Sequence, residues 1–100
     1  MNRPNFITTD QIDRWNIAVD NDPLLPDGFK KLPRLREVIY AGFWLVETLR
    51  ELNASEEHIF QLKFYHGQSS FGRDCWEVAQ NLIEMYESGE IEFEPDILDD

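Results

Sequence analysis

Side chains able to do covalent chemistry are scarce in this chain, with one cysteine, Cys75, and two histidines, His58 and His66. Asp74 reads as a helix cap, which puts Cys75 at the first helical position, where the helix dipole favours a thiolate. A thiolate beside an imidazole is a nucleophile. Cys75 with His66 is therefore the one enzyme-like arrangement the sequence offers. The competing role is structural, because Cys75 also lies on an apolar stripe with Ala79, Leu82 and Tyr86, and cysteines in that setting are commonly buried and inert. The reading taken is that the chain is not an enzyme. A small enzyme using Cys75 is kept as a second alternative.

The run Gly67, four residues, Gly72, then Arg73-Asp74 is close to the phosphate-loop spacing G-x-x-x-x-G-K-[ST]. That loop needs a lysine for the phosphates and a hydroxyl for magnesium. Here arginine and a carboxylate stand in those places, and the carboxylate would repel phosphate. The run is better taken as a polar connection between helices, from His66 to Arg73. Asp20, Asn21, Asp22 and Asp27 cluster around a proline turn, but without the ligand order of a calcium loop. Two histidines and one cysteine form no zinc spacing. No cofactor, metal or catalytic residue is assigned.

Charge says more. The formal net charge is -11. Met1 to Arg73 holds ten acids and nine bases, and Asp74 to Asp100 holds ten acids and no base. Nucleic-acid binders and anionic-membrane binders show the opposite sign, so direct binding of either is disfavoured. An acidic quarter of this kind attracts a basic partner. The basic cluster Lys30, Lys31, Arg34 and Arg36 is expected to pair internally with that quarter. With no possible intrachain disulfide and no leader pattern at Met1-Asn2-Arg3-Pro4, a reducing cytoplasmic setting is the expectation.

These groups must be held by helices. Val38 to Val46 is nine residues without a charge, inside a longer segment, Arg34 to Leu52, with helical spacing. Leu35, Val38, Gly42, Leu45, Leu49 and Leu52 form its seam, and Pro33 suits its first turn. The uncharged run is too short to span a bilayer, which takes about 20 residues. Tyr40 falls on the charged side of this helix, with Phe43 and Trp44 on its flanks. Before it, Thr8 and Gln11 make a capping box, with Ile7 and Ile12 as a hydrophobic staple. That first helix stops near Asp20-Asn21-Asp22-Pro23. The linker from Asp22 to Pro33 carries Leu24, Leu25, Phe29 and Leu32, expected to lie against the body. Ser55 caps a third helix over an ambiguous run, Ile59 to Tyr65, that also alternates like a strand; the cap favours helix. Asp74 caps the last helix, which ends at Ser88-Gly89. Ile91 and Phe93 are expected to pack onto the body.

The expected fold is a small all-α bundle of about four helices around the central apolar one, in a single domain over residues 1–100. Residues 91–100 form a short extended acidic tail. The expected function is a non-enzymatic interaction or regulatory module. It would contact a protein partner, basic in one version, through Tyr40, Trp44, Gln68, Phe71, Arg73, Glu77 and Glu84. The alternative is an acidic nucleic-acid mimic that inhibits a DNA- or RNA-binding protein. A homodimer is open if apolar surface is left over on the central helix.

Overall fold

In a computed structural model, residues 3–93 are described. They form five helices, α1 (Thr9–Asp20), α2 (Asp27–Lys30), α3 (Pro33–Glu51), α4 (Glu56–Ser69) and α5 (Cys75–Ser88), and no strand. The small all-α bundle around a central helix is the observed architecture: α3 touches each of the other four helices. The tail expected beyond Phe93 lies outside the described residues.

The helix ends follow local chemistry. Thr8 accepts from the Gln11 backbone N–H at 3.1 Å while the Gln11 side chain accepts from the Thr8 N–H at 2.8 Å, completing the capping box. Pro33 opens α3 at a position where its missing N–H is harmless. After α3 the chain reverses through Asn53, whose φ of 60° is a left-handed value that asparagine tolerates better than most residues. Ser55 caps α4 by accepting from the His58 N–H at 3.1 Å, and Ile59 to Tyr65 is helical. Asp74 caps α5 by accepting from Trp76 and Glu77. Gly89, at φ 75°, closes α5, with the Glu90 N–H reaching back to the Met85 carbonyl at 3.0 Å.

Two expectations need correcting here. The segment 22–33 is not merely a linker, because residues 27–30 form the one-turn α2 with Pro26 at its N-cap. A single turn is too short to register as periodicity. Nor does its apolar content all pack inward. Leu25 joins the core, whereas Leu24 is 88% exposed, Phe29 50% and Leu32 49%. The connection before α5 is also shorter than expected. α4 runs through Gly67 to Ser69, so the first glycine of the phosphate-loop-like run sits in a helix.

The core is aromatic at the α1–α3–α5 junction. Trp15 packs between Tyr40 and Trp76, at ring-centroid distances of 6.0 and 6.4 Å, and Trp44 meets Trp76 at 5.8 Å. The indole N–H of Trp15 donates to Glu47 at 3.2 Å, which satisfies its one polar atom. Leu45, Leu49 and Leu62 are fully buried along the α3–α4 side. Ile91 and Phe93 pack against this core, with Phe93 stacked on His58 at 3.7 Å.

Candidate functional site

The placement of Tyr40 and Trp44 is a correction. Both are buried, at 9% and 8% exposure, because α1 and the segment preceding it close over that side of α3. They are core groups and offer no contact patch. Tyr40 also has a polar task. Its hydroxyl donates to Asn16, and the Arg36 guanidinium binds Asn16 and Asp20 at 2.6 Å each. The Tyr40 hydrogen bond, then that of Asp20, holds the Arg36 guanidinium charged, above its ordinary value. This cluster ties α1 to α3.

Among the described residues, the ion pairs of the basic cluster run to acids outside the acidic quarter. Arg36 takes Asp20 of α1, Lys30 lies 3.7 Å from Asp27, and Arg34 lies 3.5 Å from Glu37 on its own helix. Those acids are simply nearer along the chain. Arg34 also donates to the carbonyls of Ser70, at 3.2 Å, and Arg73, so it tethers the α4–α5 connection. Asp22 caps its own turn by accepting from the Leu24 N–H at 2.9 Å. Among the described residues, no three of the His, Cys, Asp and Glu side chains are placed to hold a metal ion.

Cys75 and His66 come together, but not as a thiol–imidazole pair. His66 Nε2 lies 3.1 Å from the backbone carbonyl of Cys75 and donates to it, since a carbonyl only accepts. Burial lowers the His66 pKa from its ordinary value, against a weaker opposing effect from that hydrogen bond. Cys75 is 1% exposed. Burial pushes its thiol up even though Arg34, 3.9 Å from the sulfur, pulls the other way.

The remaining expected contact residues lie on the surface. Gln68 is exposed at the end of α4, Phe71 and Arg73 are exposed in the connection after it, and Glu77 and Glu84 are exposed on α5. Two of them, Phe71 and Glu84, line concave surfaces toward opposite ends of α3. One is an apolar groove of about 590 Å³ between the start of α3 and the end of α4, walled by Phe29, Leu32, Leu35, Val38 and Phe71 over Gly67 and Ser70. Gly67 also lines a second shallow apolar surface with Phe60, Phe64 and Gln68 along α4, so the two run together. Phe71 is 92% exposed and Phe60 71%. The other surface is a cleft of about 380 Å³ between α3 and α5, where Glu47, Glu51, Glu84 and Glu87 face one another beside Phe6. Glu77 is not part of it. The sequence signal for the groove lies in Phe29 and Leu32, expected to lie against the body, and in Phe60 and Phe64, read only for their periodicity.

Comparison with protein-family models, curated proteins and solved structures finds no match to this chain. The fold and site define a class only, a small all-α domain with an apolar groove and a carboxylate-lined cleft. Among the described residues no helix is long and apolar enough to cross a membrane.

Proposed function

We propose that the chain is a non-enzymatic protein-interaction module whose principal contact surface is the apolar groove at Leu32 and Phe71. The single observation carrying this reading is the continuity of exposed apolar groups across the groove and the outer face of α4. A soluble domain of this size rarely leaves so much contiguous apolar surface without a partner to cover it. Aromatic side chains are also the residues that most often dominate binding energy. The groove takes over the role first assigned to Tyr40 and Trp44, while Gln68, Phe71 and Arg73 keep theirs.

The test is chemical crosslinking in the native host followed by affinity capture, comparing the chain with a Leu32→Ser/Phe71→Ser variant of verified helicity. A discrete partner lost on that double substitution supports the reading. Retention of every partner overturns it.

A second reading is favoured by the cleft, where Glu47, Glu51, Glu84 and Glu87 converge. Carboxylates gathered in this way suit a basic protein surface, including one that otherwise holds DNA or RNA. Here the discriminating measurement is competition: the captured protein should release duplex DNA or RNA when the chain is added, and Glu84→Gln/Glu87→Gln should abolish the effect. Nucleic acid that stays bound excludes the mimic.

A further inference from the structure

The groove and the adjoining face of α4 differ in charge from the rest of the molecule. The whole chain has twenty acids and nine bases. Yet the charged residues lining these two apolar surfaces are Arg34 and Lys63, with no acid among the lining side chains. Lys31 and Arg73 stand exposed beside Leu32 and Gly72, extending the positive rim. Glu37 is paired with Arg34 and Asp27 with Lys30. An apolar surface with a positive rim selects by charge complementarity, attracting acidic segments and opposing basic ones. The groove's volume is also within the range of about 300–1,000 Å³ found for clefts that bury a ligand of drug size. Ser70 lines the groove, and its buried hydroxyl has no hydrogen-bond partner among the described residues.

From this we infer that the groove receives a peptide segment of a partner protein in which two or three apolar side chains are bracketed by aspartate or glutamate. The apolar side chains seat between Leu32 and Phe71. The flanking carboxylates meet Lys31, Arg73 and Lys63. This rests on the reading of the groove as the contact surface, and it assigns the chemistry of what binds there. It also separates the two ends of the molecule, because the carboxylate cleft would repel the segment that the groove attracts.

The test is selection of a phage-displayed random peptide library on the immobilised full chain. The expected result is enrichment of peptides with adjacent apolar residues flanked by Asp or Glu. Their affinity should fall at least tenfold on Lys31→Glu/Lys63→Glu and weaken with added salt. A Gly67→Trp variant should block them as well. A Cβ built at Gly67 meets no atom within 4 Å, so the helix accepts a side chain there, and the indole is expected to occupy the groove. Unchanged circular dichroism in each variant separates lost binding from lost folding.

Enriched peptides that are basic or uncharged, or that ignore the charge reversal, overturn the inference while leaving the groove as a contact surface. No enrichment at all overturns both. Ile97 and Leu98 of this chain are themselves bracketed by Asp96 and Asp99-Asp100. Capture that occurs only in an Ile97→Ser/Leu98→Ser variant would give the groove to that segment and overturn the assignment to a partner. Concentration-dependent dimers in light scattering that Phe71→Ser abolishes would assign it to a second copy, with the same consequence.

Discussion

His66 and Gly42 meet in the interior, and each carries a prediction. The His66 pKa is lowered by burial, so its neutral form is the one that folds. The unfolded chain binds a proton there near pH 6.5, while the folded chain does not until the pH is lower. Stability is therefore complete above about pH 6.5 and is lost as the pH falls through the window down to the folded value. His66→Gln keeps a donor for the Cys75 carbonyl and removes the titration. Urea unfolding at pH 7, 6 and 5 should show the native chain losing more stability than this variant. The slope difference is bounded at about 1.4 kcal/mol per pH unit for one proton; equal slopes would exclude His66 as the source. Gly42 sits mid-helix opposite that ring. A methyl at Gly42 would lie 3.8 Å from His66 Nδ1, which is ordinary contact. Alanine should therefore fit and restrict the unfolded chain, so Gly42→Ala is expected to raise stability by about 0.5–1 kcal/mol in the same assay. A loss would mean that α3 and α4 need a closer approach than the geometry shows.

At the scale of elements, Arg34 links the first turn of α3 to the connection between α4 and α5. Its donors reach the Ser70 and Arg73 carbonyls, and the side chain is half exposed at 52%. Charge-assisted hydrogen bonds contribute about 1.5–3 kcal/mol when buried, and solvent screening lowers that here to about 1 kcal/mol. Arg34→Met keeps most of the aliphatic stem. It should lower stability by about that amount and speed amide exchange of residues 71–73 more than of the α3 centre. Uniform acceleration would mean that the tether is not local. Element boundaries were also the most legible part of the sequence. Thr8 with Gln11, Pro33, Ser55, Asp74 and Gly89 each mark an end through a contact within a few residues of itself, and such contacts are written in the local sequence. α2 was not legible because four residues make one turn and no period. The extension of α4 through Gly67 was missed because glycine's helix penalty, about 1 kcal/mol, is offset by tertiary packing of His66 and Ser70 on either side.

For the whole molecule, what the sequence hid was which apolar groups face outward. Trp44 and Phe60 look alike in composition and spacing. Only the arrival of Phe6 and Trp76 over Trp44, while Phe60 stays exposed among the described residues, separates them. The charge imbalance, by contrast, needed no structure, and it governs stability at this scale. The body measures 40 × 33 × 26 Å. At 0.01 M salt the screening length is about 30 Å, so charges across the whole molecule interact; at 0.15 M it is about 8 Å, and only neighbours do. Two effects compete as salt is added. Ion pairs such as Arg36–Asp20 weaken, while repulsion within the net charge of -11, including that among Glu47, Glu51, Glu84 and Glu87 in the cleft, weakens too. Repulsion should dominate, because Arg36 keeps its hydrogen bonds to the uncharged side chains of Asn16 and Tyr40, which salt screens little, whereas the carboxylate cleft has Arg14 on Glu47 as its one ion pair among the described residues. The melting temperature is therefore expected to rise between 0.01 M and 0.15 M sodium chloride. Glu84→Gln/Glu87→Gln should raise stability at low salt, by about 0.2–0.5 kcal/mol for each like-charge contact removed, and should reduce the response of the melting temperature to salt. A melting temperature that falls with salt would show that the ion pairs of α1 and α3 outweigh the cleft.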